Sequence, residues 1–310
     1  MANFSFPVAK NVTPFFSSDD AILLHGDCLQ LLDSVEKESV DLIFADPPYF
    51  LSNDGITCHS GKMVSVNKGN WDKIGSFDEK HAFNRQWIKL CKQVLKPSGS
   101  IWISGTYHNI YSIGAALEQE GFAIINNVTW QKTNPPPNLA CRCFTHSTET
   151  IIWACKKEHK SKHVFNYDLM KEENGGKQMK DVWVSSLTPP AEKKEGKHPT
   201  QKPLFLLERI IKASSSVGDL VLDPFCGSST TGVAALSLGR KYIGVDLELE
   251  YLELSERRLY EKHGGGVSSY THTQQQIDHY ANQYNPNNSA YDARVENEER
   301  TKEEANQDKE

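Results

Sequence analysis

LVLDPFCGSSTTG, residues 220–232, decides how the rest of the chain is read. Leu220, Val221 and Leu222 have the apolar character of a buried strand, and Asp223 stands at its carboxyl end. The small residues that follow lead into VAALSLG, a helical stretch, and then into KYIGVD (241–246), a second short apolar run that also ends in a carboxylate, Asp246. Strand, small-residue turn, helix and strand form the repeating unit of a parallel α/β sheet. Ligands of such sheets sit at the carboxyl ends of the strands, where small residues let backbone N–H groups at a helix N-terminus approach them. Asp246 follows Phe225 by about twenty residues, a spacing at which an acidic strand end accepts bonds from both hydroxyls of a ribose.

The same loop excludes two ligand classes. Gly227 and Gly232 lie five apart, so the G-x-G-x-x-G fingerprint of nicotinamide enzymes is absent. No G-K-[ST] follows, so the loop is not a nucleoside triphosphate P-loop.

Upstream, PLFLLERIIKAS (203–214) has helical spacing, with Pro203 predicted at the first helical position and Lys202 just outside it. The preceding KHPTQKP (197–203), with Thr200 and Lys202, reads on physical grounds alone as a loop that starts a helix. Nearer the N-terminus, ILLHG (22–26) and VDLIFA (40–45) read as strands around a helix over 28–36. Asp27, between the first strand and that helix, is equally a helix N-cap or a ligand carboxylate. A helix over 83–95 is ended by Pro97 and Gly99, and is followed by a strand at 100–105 and a helix at 110–121. Strands at 122–132 and 150–156 have no helix between them, which predicts an antiparallel hairpin. Phe144, in the proline-broken loop of that hairpin, is assigned to core packing in preference to a ligand contact. Residues 157–197 lose the α/β rhythm, and from Gly264 onward the composition reads as a disordered acidic tail.

A second motif carries the chemistry. DPPY (Asp46, Pro47, Pro48, Tyr49) directly follows the apolar run VDLIFA. An amino nitrogen conjugated to a purine or pyrimidine ring is a poor nucleophile because its lone pair is delocalised. A carboxylate and a carbonyl that accept its two N–H bonds would pull it toward sp³ and aim the lone pair at an electrophile. Asp46 offers the carboxylate, and Pro47, locked in φ and lacking an N–H, offers a fixed carbonyl. Tyr49 offers a flat face for a base turned out of its stack. The plainer reading is a strand-end turn with a capping aspartate; the full motif after five apolar residues weighs against it.

Composition sets the outer bounds. The 310 residues carry a formal net charge of −6, which conceals a contrast. Residues 264–310 hold 9 Asp/Glu against 4 Lys/Arg, whereas 156–202 hold 11 Lys against 7 Asp/Glu. A near-neutral body with one basic stretch is compatible with a nucleic acid partner. No run of eighteen apolar residues occurs and the N-terminus lacks the pattern of a secretory signal, so a soluble cytoplasmic protein is expected. The 7 cysteines show no second pair at zinc spacing beside Cys141 and Cys143, and free thiols with no metal are expected.

DPPY, DPFCGSSTTG and HPTQKP together resemble the amino-methyltransferases of bacterial restriction–modification systems. The catalytic motif precedes the cofactor loop, an order similar to the circularly permuted β group, and the likeness covers residues 20–262. Within that group, NPPPNLACRCFTHSTETIIWA resembles the second, single-strand-tolerant adenine methyltransferase of Dpn-type systems. The resemblance implies a three-layer, Rossmann-like α/β sandwich around a seven-stranded sheet, six strands parallel and one reversed. In it 22–26 and 40–45 are neighbouring strands and 220–223 is central. It implies S-adenosylmethionine as cofactor, with Asp223, Phe225, Cys226, Gly227 and Ser228 at its methionine end. Asp246 with Leu247 would lie at the ribose, Asp27 at the adenine amino group, and Lys202 with Thr200 on the carboxylate side. Asp46 and Pro47 would polarise the target amine and Tyr49 would stack on the flipped base.

The resemblance further implies a methyltransferase domain over 1–262, with 157–197 as its target-recognition segment and 263–310 as tail. DNA is the implied partner and a restriction endonuclease the functional counterpart, with a homodimer left open. The family's loop often runs F-x-G-x-G, and Ser229 replaces the second glycine here. D-P-P-Y favours adenine N6 over cytosine N4, where S-P-P-Y is commoner. Methylation of RNA or of protein amides, and a binding module without catalysis, are the rival readings. The aspartate of DPPY and the lysine-rich 157–197 segment weigh against protein amides, and intact Asp46, Tyr49, Asp246 and Gly227 weigh against loss of catalysis.

Overall fold

The computed structural model describes residues 4–48, 56–59, 62–65, 76–196 and 198–262. The chain divides into a compact unit over Met1–Gly266 and a second over Val267–Glu310. The second, where the sequence reading puts an acidic tail, lies outside the described residues, as does Tyr49.

The strands are β1 (Phe16–Ser17), β2 (Ala21–His25), β3 (Val40–Ala45), β4 (Ile56–His59), β5 (Lys62–Ser65), β6 (Leu95–Gly105), β7 (Phe122–Lys132), β8 (Thr148–Lys156), β9 (Val182–Ser185), β10 (Leu220–Asp223) and β11 (Lys241–Asp246). Nine of them form one sheet in the order β1-β2-β11-β10-β3-β6-β8-β7-β9, and β4 pairs with β5 apart from it. From β2 to β6 all neighbours are parallel. β8 runs antiparallel to both β6 and β7, so β7 regains the common direction. The seven strands from β2 to β7 thus show six parallel and one reversed. The expected count of seven is exceeded by two edge strands, β1 of 2 residues and β9 of 4.

One expectation is overturned. The strands over 22–26 and 40–45 are not neighbours, because β11 and β10 lie between them. Leu220, Val221 and Leu222, like Tyr242, Ile243 and Val245, are buried on both faces, which demands a central position with helices above and below. Sequence adjacency is the weaker rule here. Asp41 on β3 locks the arrangement, accepting from Leu220 N at 2.9 Å and from Lys96 Nζ at 2.7 Å.

Alternate residues of each central strand serve two cores. Ile22, Leu24, Ile43, Ala45, Leu222, Ile243 and Val245 face one side. Packed there are α1 (Cys28–Asp33), α2 (Phe77–Val94) and α3 (Ile110–Gln119). Ala21, Leu23, Leu42, Phe44, Val221 and Tyr242 face the other. That side is covered, past the small α4 (Tyr167–Glu173), by α5 (Leu204–Ser214), α6 (Thr230–Ser237) and α7 (Leu249–Lys262). The result is the three-layer α/β sandwich expected of the sequence.

Local boundaries follow capping chemistry more closely than apolar periodicity. α2 starts six residues before the expected 83 because Ser76 and Glu79 form a capping box, with Glu79 N on Ser76 Oγ at 3.2 Å and Ser76 N on Glu79 Oε2 at 2.9 Å. Pro203 caps α5 from outside its first turn and is not the first helical residue. The segment 157–197 is not featureless: it contributes α4 and β9, and buries Trp183 against Trp102 at 6.0 Å. Phe144 is 96% exposed, so its expected core packing is wrong: the β7–β8 loop around it is exposed from 139 to 146 and offers no core to pack into. Among the described residues no helix is long and apolar enough to cross a membrane.

Candidate active site

The carboxyl ends of β2, β11, β10 and β3 converge on one cavity of about 300 Å³. Its wall brings together every residue singled out from the sequence that the structure describes. These are Asp27, Asp46, Pro47, Thr200, Lys202, Asp223, Phe225, Cys226, Gly227, Ser228, Asp246 and Leu247. Residues from 27 to 247 meet there because parallel strands end on the same edge of the sheet.

The loop after β10 is built by short backbone bonds to its neighbours. Asp223 accepts from Phe225 N at 3.0 Å and from Thr231 Oγ1 at 2.6 Å, closing the turn and tying it to α6. Cys226 N reaches Val245 O at 2.9 Å, and Gly227 N reaches Asp246 Oδ2 at 2.7 Å, which fastens the loop to β11. Phe225 packs edge-on against Trp87 of α2 with ring centroids 5.3 Å apart. Gly227 has φ +51°, and a Cβ there would stand 3.1 Å from the His198 ring, so both backbone and space favour glycine. Ser229, where the family often has its second glycine, also adopts a left-handed conformation, with φ +50°. It is fully buried and accepts the Tyr242 hydroxyl at 3.3 Å.

Burial governs the protonation of this wall. The Asp223 carboxyl is pushed up to about 7, chiefly by burial, against the opposing bonds from Thr231 and Phe225. Asp246 is pushed up to about 6, again chiefly by burial, while the Glu248 and Gly227 N–H groups hold it down. The Cys226 thiol is raised well above its usual range by burial, with Asp246 and Asp223 adding to the effect, which makes it a poor nucleophile. Of the two roles left open for Asp27, the cap is present: its Oδ1 caps α1 by accepting Leu29 N at 2.7 Å, and the residue also lines the cavity.

Asp46 lies at the end of β3 with its side chain 14% exposed. Ser104 Oγ of β6 donates to its Oδ1, and Lys202 Nζ donates to its Oδ2 at 2.6 Å. Lys202 therefore sits on the carboxylate of the DPPY motif, and its Nζ is also 3.5 Å from Glu149 Oε2. The Pro48 carbonyl accepts Asn109 Nδ2 at 3.0 Å. Among the described residues nothing donates to the Pro47 carbonyl. Asp46 and Pro47 together can accept the two N–H bonds of an amino group.

Several residues in or behind this wall escaped the sequence reading. Ser104 ends a strand that looks purely structural, and Glu149 begins another. His198 lines the cavity within KHPTQKP and packs edge-on against Tyr251 at 4.3 Å. Arg258, buried on α7, holds the loop from behind through Ser228 Oγ at 2.8 Å and Thr230 Oγ1 at 3.1 Å. The motif context of His198 was the one available signal; nothing local marks the others. Cys141 and Cys143 are free and exposed. No group of three or more metal-ligating side chains occurs among the described residues.

Sheet order, carboxyl-edge cavity and strand-end carboxylates define the class as a doubly wound α/β methyltransferase fold. The profile of the DNA methylase family, covering N6 and N4 enzymes, matches residues 40–257, and the chain belongs to that family. It is 63% identical over 246 residues to the Type II methyltransferase M2.DpnII of Streptococcus pneumoniae, spanning 79% of this chain and 92% of that one. It is 52% identical over 252 residues to the Type II methyltransferase M2.MboI of Moraxella bovis, spanning 81% and 92%. Among solved structures, the M1.HpyAVI–SAM complex superposes with a TM-score of 0.58 at 30% identity, over 77% of this chain and 98% of that one. The cytosine-N4-specific PvuII DNA methyltransferase superposes with a TM-score of 0.64 over 88% and 94%, and at 20% identity that likeness concerns the fold alone.

Proposed function

We propose that the protein is a site-specific DNA adenine-N6 methyltransferase that uses S-adenosylmethionine and protects DNA within a restriction–modification system. One observation carries the reading: the Asp46 carboxylate and Pro47, whose carbonyl takes no bond from the described residues, share a cavity with the loop over 223–228. The wall also suits the cofactor. Besides Asp46, the carboxylates Asp27, Asp223, Asp246 and Glu248 line a mostly apolar cavity, which matches a ligand bearing sulfonium and ammonium charges and ribose hydroxyls. Asp246 has lone pairs left after accepting Gly227 N and Glu248 N, and would hold the ribose beside Leu247. Asp27 would take the adenine amino group, and Phe225, Cys226, Gly227 and Ser228 would enclose the methionine end, with Thr200 on its carboxylate side.

Bound S-adenosylmethionine supplies an electrophilic methyl group. Asp46 accepts one N–H of the target amine and the Pro47 carbonyl the other, which localises the nitrogen lone pair. Asp46 is then the adjoining acceptor for the proton that the methylated nitrogen loses. Tyr49 would stack on the flipped base. The aspartate of DPPY and the identity to M2.DpnII and M2.MboI support adenine; likeness to the cytosine-N4 enzyme is confined to the fold. The lysine-rich segment 157–197 would read the target, residues 1–262 being the catalytic domain and 263–310 an acidic tail. The protein would act on DNA in the cytoplasm, paired with a restriction endonuclease, and a homodimer is compatible with this reading.

The deciding assay is transfer of labelled methyl from S-adenosylmethionine to unmethylated genomic DNA, duplex and heat-denatured, followed by digestion to nucleosides. Label in N6-methyladenosine is expected. Label in N4-methylcytosine would move the base; no label in either form, with cofactor bound, would overturn the reading.

A further inference from the structure

Asp46 does not meet its target alone. Lys202 Nζ lies 2.6 Å from Asp46 Oδ2 and 3.5 Å from Glu149 Oε2, and Glu149 Oε1 lies 2.6 Å from Lys132 Nζ. The four groups come from three strands, β3, β7 and β8, and from the turn before α5. Their side chains are only 6–14% exposed, and they alternate in sign: Asp46, Lys202, Glu149, Lys132. Together these four side chains carry no net charge. Each buried charge is compensated by its neighbour, and removal of one member withdraws that compensation from the next.

We propose that Lys202 and Glu149 form an ionic clamp that orients Asp46 and sets the charge around it, which makes Glu149 a positioning residue for methyl transfer. The inference deepens the proposed function and rests on it. Lys202 takes one oxygen of Asp46 and Ser104 the other, which fixes the plane of the carboxylate. Glu149 keeps Lys202 in place: its carboxyl, which burial alone would raise, is held below the usual range by Lys202 and Lys132. Among the described residues, the charged groups facing Asp46 include Lys202 directly, Glu149 and Lys132 behind it, and Asp223 on β10.

Opposite charge changes should move the pH dependence in opposite directions. Lys202→Gln removes a positive neighbour and should shift the acid limb of kcat upward by about one pH unit or more. Glu149→Gln removes a negative one and should shift it downward, and the double variant should return toward the parent. Rates are measured at saturating DNA and cofactor, so that Asp223 and Asp246 are held in the liganded state. Limbs that coincide with the parent's, or that move together, would overturn the clamp; a purely structural role lowers rates without opposed shifts. Glu149→Asp should recover part of the rate. A thermal-unfolding cycle of the same two substitutions needs no turnover: the double variant should lose less than the sum of the singles, and additive losses would overturn the pairing. Absence of methyl transfer by the parent defeats the proposed function, while the unfolding cycle still decides the clamp.

Discussion

Asn109 Nδ2 donates to the Pro48 carbonyl across 3.0 Å, from a side chain that is 1% exposed. Its own oxygen accepts Asn84 Nδ2 at 2.7 Å, and Asn84 Oδ1 accepts Trp87 Nε1 at 3.2 Å, so the orientation of both amides is set. The carbonyl of Pro48 is thereby occupied, and that of Pro47, one residue earlier, is the one left to face the cavity. Asn109→Asp is nearly isosteric but sets a carboxylate against a carbonyl. It should lower kcat by about a hundredfold, the scale of a small misplacement of a reacting group. Cofactor affinity, measured by calorimetry, should stay within a few-fold, because Asn109 does not line the cavity. A kcat within twofold of the parent would show that the turn needs no such support.

Asp46 itself tests the motif. Asp46→Ala should abolish methyl transfer while cofactor binding persists, since a positioned polarising group contributes at least about a hundredfold. The comparison is the single-turnover rate alongside cofactor affinity for parent and variant. Residual activity within about tenfold of the parent would be incompatible with the role given to Asp46.

Much of this was legible because strand ends announce themselves. Asp46, Asp223 and Asp246 each close an apolar run, and parallel strands deliver such ends to one edge of the sheet, so three distant motifs could be assigned to one place. Order across the sheet was less legible: β10 and β11 insert between β2 and β3, which depends on burial of both faces and not on chain order. The supports of Asp46 were illegible for a different reason. Ser104 and Glu149 sit at ends of β6 and β8 whose local pattern records only alternation, and Lys202 lies 156 positions from its partner. Pairing at that range is a product of packing, with no local signature.

The left-handed Ser229 makes an unusual prediction. An L-residue in that conformation costs about 1–2 kcal/mol relative to glycine. Ser229→Ala keeps that strain and removes the acceptor of the Tyr242 hydroxyl, whereas Ser229→Gly removes both strain and acceptor. The glycine variant should therefore be more stable than the alanine variant by about 1–2 kcal/mol, the reverse of the ranking inside a helix. Urea unfolding of the two variants measures the difference directly. Alanine equal to or above glycine would mean that the backbone strain is relieved by its surroundings.

Asp223 and Asp246 predict how stability and binding depend on pH. Both carboxyls stand above their usual value of 3.8, at about 7 and about 6. Between pH 4 and 7 the unfolded chain has therefore released protons that the folded chain retains, so ligand-free stability falls as pH rises through that window. Above about pH 7 the loss from these two groups is complete. Asp223→Asn should flatten the upper part of the fall, and Asp246→Asn the lower part. Binding runs the other way: a cationic cofactor favours the ionised carboxylates, so affinity should rise from pH 5.5 to 8, with protons released on binding. Calorimetry in buffers of different ionisation enthalpy reads that release. Affinity that is flat over the window, or proton uptake, would show that the cofactor does not meet these carboxylates as anions.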